Sequence, residues 1–360
     1  MRRRDFLQTG AALPLLGTKA WAAGTPAKSD VNCILLMLVG GPSHVDTWDM
    51  KPDAPSAYRS PFRPIRTNVP GIEISEIFPR MARHADKYAL IRSVYHDAPA
   101  VHDTGHQLMQ TGRLSDADRE HPHMGCVVSK VTGAPHVLLP HPIGNTGGNM
   151  SHGQSAGFLG EEFDPRVVAE GADLSCEPET LRRAYGLNRF GQSCLAARRL
   201  VETCARFVTV NMFETVFDAV TWDAHGSKPF SSIGDYRDSV GPMFDMAYSA
   251  LLEDLSRRGM LGNTLVVGMG EFGRSPKINP AGGRDHWPQC WTIHMAGGGI
   301  KGGQVYGGSD RIGAEPKDNP VSPSMVVATI YRAMGIPLDL EFDGVPVVDP
   351  GTQPIRELFS

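Results

Sequence analysis

Apolar residues fall along this chain in two alternating rhythms. Val31 to Val39 is a continuous apolar run, which is how a strand covered on both faces of a parallel sheet reads, and Gly40-Gly41-Pro42 ends it in a tight turn. From Gly191 the spacing turns helical through Leu195, Ala196, Leu200 and Val201, and Arg206 to Met212 returns to strand alternation. Met243, Phe244, Ala247, Leu251, Leu252 and Leu255 share one helix face, Gly259 supplies its C-cap, and Thr264 to Val267 opens the next strand. Ser322-Pro323 gives an N-cap and first-turn proline to an apolar helix from Met325 to Met334, which Gly335 and Pro337 stop. The repeated order of helix, strand and polar loop predicts an α/β fold: a layered, mostly parallel sheet with helices on both faces. No internal repeat or low-complexity linker divides the chain, so residues 24–360 are expected as one domain, with a Gly- and His-rich loop insertion at about 114–190.

Composition narrows the classes. A formal net charge of -4 over 360 residues, without a basic stripe, points away from nucleic acid. Arg3-Arg4-Asp5-Phe6-Leu7-Gln8 fits the twin-arginine pattern R-R-x-F-L-K with Gln8 for Lys; a short apolar run from Ala11 to Leu16 and the small-x-small site Ala20-Trp21-Ala22 follow. A signal peptide over residues 1–23 and twin-arginine export to the periplasm or beyond are therefore expected. No segment is apolar for long enough to span a bilayer. That export route carries folded proteins, often around a cofactor, which makes a bound metal a reasonable expectation. The six cysteines, Cys33, Cys126, Cys176, Cys194, Cys204 and Cys290, show no C-x-x-C spacing and are expected as buried thiols.

Chemistry gathers after the strands, where open parallel sheets bind their ligands. Five loops carry imidazoles or carboxylates: Ser43-His44-Val45-Asp46-Thr47-Trp48-Asp49, His102-Asp103-Thr104-Gly105-His106, Trp222-Asp223-Ala224-His225-Gly226, Gly270-Glu271-Phe272-Gly273-Arg274 and Gly283-Arg284-Asp285-His286-Trp287. Such side chains are the standard ligands of zinc and similar ions, so His44, Asp46, Asp223, His225, Glu271, Asp285 and His286 are expected to hold one or two divalent cations, Zn, Ca or Mn. Each loop also has an ordinary reading. His44 and Asp46 could cap a helix, His102 and His106 could share a solvated helix face, Asp223-x-His225 could be a hydrogen-bonded turn, and Asp285-His286 a local pair. The remaining histidines, His84, His96, His121, His123, His136, His141, His152 and His294, are expected at the surface or supporting the site.

The stretch His102-Asp103-Thr104-Gly105-His106-Gln107-Leu108-Met109-Gln110-Thr111-Gly112-Arg113 resembles the active-site segment of sulfatases, in which a cysteine converted to formylglycine opens a helix, Pro and Arg follow at the third and fifth positions, and Thr-Gly-Arg closes it. On that frame His102 stands in the nucleophile's place, Thr104 in the proline's and His106 in the arginine's. The whole mature chain resembles the DUF1501 family, a branch of the alkaline phosphatase and sulfatase superfamily. The likeness is carried by the Arg-Arg-x-Phe-Leu leader, Gly40-Gly41-Pro42-Ser43-His44-Val45-Asp46-Thr47-Trp48-Asp49-Met50-Lys51-Pro52, Thr111-Gly112-Arg113, Gly270-Glu271-Phe272-Gly273-Arg274-Ser275-Pro276, Gly283-Arg284-Asp285-His286-Trp287-Pro288 and Ile300-Lys301-Gly302-Gly303.

The resemblance implies an alkaline phosphatase-like fold and a two-metal hydrolase with its nucleophile at a helix N-terminus. Carried over by position, the aspartates that follow the first strand in sulfatases are replaced by Gly40-Gly41, with His44 and Asp46 the nearest substitutes. The later Asp-His or Asp-Asn pair becomes Glu271-Phe272, and Asp223, His225 and His286 still read as ligands. The C-x-P-x-R modification signal is absent, which argues against formylglycine chemistry. Thr104, His102 and Ser43 are then the candidate catalytic groups, with a water held by the metal as the other nucleophile, and His106, Arg113, Arg274 and Arg284 the candidate substrate-binding groups. Two functions follow: a metal-dependent hydrolase of a phosphate or sulfate ester, small or glycan-linked, or an inactive relative that binds carbohydrate or anions. The clustered charges favour the first.

Overall fold

The computed structural model describes residues 29–116, 118–147, 151–169, 173–217 and 219–359, so the expected signal peptide lies outside the described residues. An eight-stranded sheet runs through the centre. In chain order its strands are Asn32–Met37 (β1), Tyr88–Val94 (β2), His136–Leu139 (β3), Arg166–Val167 (β4), Phe207–Asn211 (β5), Thr264–Met269 (β6), Trp291–Ala296 (β7) and Gln304–Tyr306 (β8). In space they lie in the order β8-β2-β7-β6-β1-β5-β3-β4. Only β7 runs against its neighbours within this sheet; the other pairings are parallel.

Both faces are covered, and β1 shows why it reads as an unbroken apolar run. Its Ile34 and Leu36 join one core cluster with the helices Arg189–Thr203 and Gly241–Arg257. Cys33, Leu35 and Met37 join the opposite cluster with His102–Thr111 (α1), Met124–Thr132 (α2) and Pro323–Met334. Successive side chains of a strand point to opposite faces, so a doubly covered strand turns both sets of side chains into a core and is apolar at most positions. Each such buried aliphatic side chain contributes roughly 1.5–3 kcal/mol.

The closing helix forms as its sequence directs. The Ser322 hydroxyl accepts from the Met325 N–H, Pro323 occupies the first turn, and Gly335 closes the helix with φ 72. Three expectations are revised. The stretch expected as a loop insertion at 114–190 supplies α2, β3 and β4, two of which are sheet strands. Cys176 and Cys204 are exposed, whereas Cys33, Cys126, Cys194 and Cys290 are buried, all six unbridged. Of the histidines expected at the surface or supporting the site, His96, His121, His123, His136 and His294 are buried, which removes the surface alternative for them; His123 and His136 stack at 4.5 Å between ring centroids, beside Phe207.

Among the described residues no helix is long and apolar enough to cross a membrane. What positions the site is register: Met37 lies opposite both Asn211 and Met269, so the carboxyl ends of β5, β1 and β6 are level.

Candidate functional site

These level ends feed three loops into one another. After β1 the chain turns sharply at Gly40, whose φ of 108 belongs to glycine and where a Cβ would lie 2.5 Å from the Asp223 nitrogen. The bare backbone lets the Gly40 N–H donate to Glu271 Oε1 at 2.8 Å. Glu271, just beyond β6, is fully buried, and the same oxygen lies 2.6 Å from His102 Nδ1, on the first turn of α1. His102 thus sits between two carboxylates, for its Nε2 lies 3.6 Å from Asp223 Oδ2. His286, on the short antiparallel ribbon of Gly273–Arg274 and His286–Trp287, stacks edge-on against His102 with centroids 4.4 Å apart. His286 Nε2 is 3.3 Å from Asp223 Oδ1 and 3.0 Å from His225 Nε2, which is itself 3.1 Å from that oxygen.

Arg274 binds the cluster together. It is wholly buried, donates from Nη2 to Asp223 Oδ1 and to the Gly40 carbonyl, and from Nε to the Gly41 carbonyl at 3.0 Å. Burial alone would raise the Asp223 pKa, but Arg274 and the imidazoles of His102, His225 and His286 around it outweigh burial and hold the carboxyl well below its usual range. Glu271 behaves likewise: burial is opposed by His106 and His102, which bring its pKa down to about 2. His102 moves up, because the two carboxylates that flank it, Asp223 and Glu271, outweigh the effect of burial. Burial lowers His286 to about 4, despite Asp223 beside it.

Several buried polar atoms here have no hydrogen-bond partner: His102 Nε2, Asp223 Oδ2, Glu271 Oε2 and both ring nitrogens of His106. Two ligand groups follow from the geometry, His102 with Asp223 and His286, and His102 with His106 and Glu271, each with its donor atoms within 4.8 Å of one another. The first opens onto a cavity of about 400 Å³ that Thr104, Asp103, Phe217 and Phe230 also line.

The family model described as "Protein of unknown function (DUF1501)" matches residues 30–170 and 165–347. The chain belongs to the DUF1501 family. A search of curated proteins finds no match. Similar solved structures include a sulfatase from Pseudoalteromonas sp., with 14% identity, 92% of the DUF1501 chain and 72% of that chain covered, and a TM-score of 0.47. Another is the lipoteichoic acid synthase LtaP from Listeria monocytogenes, with 10% identity, coverage of 92% and 75%, and a TM-score of 0.42. A third is the C-terminal periplasmic domain of EptC from Escherichia coli in complex with Zn, with 12% identity, coverage of 91% and 91%, and a TM-score of 0.44.

The structure divides the residues expected at the site of this DUF1501 chain. His102, His106, Asp223, His225, Glu271 and His286 converge, and Thr104 lines the adjoining cavity. Ser43, His44, Asp46 and Arg284 form a separate buried knot. Asp46, expected as a ligand, accepts from Arg284 Nε at 2.6 Å and Nη2 at 3.1 Å, and from the Ser43 hydroxyl at 2.6 Å. His44 places Nε2 2.7 Å from the Gly313 carbonyl. A fork of two hydrogen bonds on one carboxylate leaves Asp46 no role toward an ion, and a hydroxyl engaged inside the protein leaves Ser43 no access to substrate.

Arg274 and Arg284, expected to bind substrate, spend their guanidinium groups on Asp223 and Asp46. Arg113 lies past the far end of α1 and lines a small separate space with His121 and Tyr331. Asp285 is mostly exposed, with Oδ1 3.7 Å from His225 Nδ1. Sequence reasoning missed Phe217, Phe230 and the pairing of Asp103 Oδ1 with His152 Nδ1 at 2.9 Å. Nothing in the local sequence marks them, since the cavity wall is assembled from loops distant in the chain.

Proposed function

We propose that this DUF1501 protein is an exported, metal-dependent hydrolase of a phosphate or sulfate ester, with small-molecule and glycan-linked esters as its substrate class. One observation carries the reading: His102 Nε2 and Asp223 Oδ2 are buried and unpartnered, 3.6 Å apart, at the edge of a cavity of about 400 Å³. Each buried polar atom left unsatisfied costs about 1–3 kcal/mol, which coordination to a cation would offset. His286 completes a mixed imidazole and carboxylate set, and His225 stands beside it. Such donors suit zinc or manganese better than calcium, which prefers six to eight oxygens.

When bound, the ion would polarise an oxygen of the ester and offset the charge that builds on the leaving group. The chain's own residues supply the rest. Arg274 keeps Asp223 ionised and engages its Oδ1, so that Oδ2 alone is left without a partner. Thr104, on the first turn of α1, presents its hydroxyl as the candidate nucleophile, where the exposed N–H groups of a helix start favour an anion. A binding module is the second reading. It is supported by His102, an imidazole flanked by two carboxylates, standing where sulfatases keep their nucleophile.

The test is paired. Asp223→Ala is expected to lose both bound zinc and hydrolysis of aryl phosphates and sulfates, and Thr104→Ala to lose hydrolysis while keeping zinc. A wild-type protein that binds zinc without hydrolysing any ester supports the binding module. One that neither binds nor hydrolyses with added zinc, manganese or calcium overturns the hydrolase. For export, Arg3→Lys with Arg4→Lys is expected to leave precursor in the cytoplasm; undiminished export would overturn the twin-arginine reading.

A further inference from the structure

We infer that the centre holds one cation rather than two, and that Glu271 is a positioning residue for His102 rather than a ligand. The inference rests on the metal-site reading above. Its basis is the difference between the two sides of one imidazole. Two donors of a tetrahedral ion with bonds of ~2.0–2.2 Å lie about 3.3–3.6 Å apart. His102 Nε2 and Asp223 Oδ2, at 3.6 Å, have that separation and no other partner. His102 Nδ1 and Glu271 Oε1, at 2.6 Å, are too close to be two donors of one ion and are at hydrogen-bond distance.

Glu271 Oε1 is moreover already an acceptor for the Gly40 N–H at 2.8 Å. Both ligand groups of the site draw on His102, and in the second its Nδ1 is already taken up by the Glu271 hydrogen bond. With Nδ1–H donated to the carboxylate, the Nε2 lone pair faces Asp223, an arrangement that fixes the tautomer and raises the basicity of a metal-binding imidazole. His106, whose Nε2 is 3.6 Å from Glu271 Oε1, then stands behind His102 as a neighbour of that carboxylate and outside the ligand set.

The experiment is zinc titration of the full mature chain, with stoichiometry from elemental analysis, affinity from a competing chelator, and the visible spectrum of the cobalt-loaded form. Wild type is expected to bind one zinc per chain. Glu271→Gln, whose amide oxygen still accepts from Nδ1–H, is expected to retain one zinc with affinity weakened about 10–100-fold, and His106→Gln to retain one zinc. Asp223→Asn is expected to lose binding, and the cobalt spectrum of Glu271→Gln to keep the wild-type band pattern, since the donors are unchanged. Two zinc ions per wild-type chain would overturn the inference and leave the hydrolase reading standing. So would loss of binding in Glu271→Gln as complete as in Asp223→Asn, with both variants folded by circular dichroism. Wild type binding none would overturn the metal reading itself.

Discussion

Gly105 tests how closely the fold and the site are tied. It lies one turn after His102 on α1, and a Cβ there would stand 2.6 Å from the Glu271 carbonyl oxygen and 2.9 Å from the Glu271 Cβ. The obstacle is backbone on an element anchored by β6, so it cannot swing aside as a flexible side chain would. Gly105→Ala must open the closest contact from 2.6 Å to the 3.4 Å of ordinary van der Waals approach, moving α1 against the loop that holds Glu271.

Two terms oppose each other. Alanine favours a helix interior over glycine by about 1 kcal/mol, and overpacking a tight contact costs about 1–3 kcal/mol. The net expected loss is ~0–2 kcal/mol of metal-free stability, read from urea unfolding. The effect on the site is larger, because a ligand set tolerates displacements of only about 0.5 Å. Zinc affinity by chelator competition is expected to fall at least tenfold. A Gly105→Ala protein with zinc affinity equal to wild type would refute the claim that this contact sets the position of His102.

Arg198 is buried and donates to Glu177 at 2.6 Å and Glu202 at 2.7 Å, with Asp254 2.8 Å from its Nε; Arg198→Met leaves Glu177 to Arg199 and Arg258, and Asp254 to Arg258 and Tyr185, and is expected to cost about 1.5–3 kcal/mol in urea unfolding, a loss under ~1 kcal/mol refuting the network's importance. Acid is expected to destabilise the protein before its carboxylates titrate. Burial pushes His123 and His294 down to about 3 and His136 well below 6.5, so the unfolded chain takes up protons the folded chain refuses, whereas the raised His102 offsets one of them. The stability these three contribute is present above pH ~6.5 and is lost as pH falls toward 3, at about 1.4 kcal/mol per pH unit for each. Urea unfolding between pH 7 and 5 is expected to approach an uptake of two protons or more; an uptake below one would show that the buried imidazoles are charged in the fold.

The strands that seat the site were legible because both of their faces are covered. Val31–Val39 is apolar but for Asn32, Arg206–Met212 alternates at strand period, the run from Thr264 is apolar through Val267, and all three became neighbouring strands. β7 and β2 were less legible, since Trp291-Thr292-Ile293-His294 mixes polar and apolar residues for reasons visible only when His294 lies among Trp48, Phe244 and Tyr248. Within the site, residue type was readable and partnership was not. Asp46 and Asp223 are equally plausible ligands on paper. Arg284 takes both oxygens of one and Arg274 only one oxygen of the other, a distinction that depends on loops far apart in sequence.

The pairing of Glu271 with His102 joins residues 169 positions apart, and that of Arg274 with Gly40 joins residues 234 apart. A site of such high contact order does not exist in any short fragment, and its closure follows most of the loop-entropy loss of folding. Its donors are therefore scattered until β1, β5 and β6 have met, and an ion finds no preformed cage on the nascent chain. Loading follows folding. On the metal-site reading proposed above, the compartment where this chain folds is the one whose metal supply decides which ion it would carry.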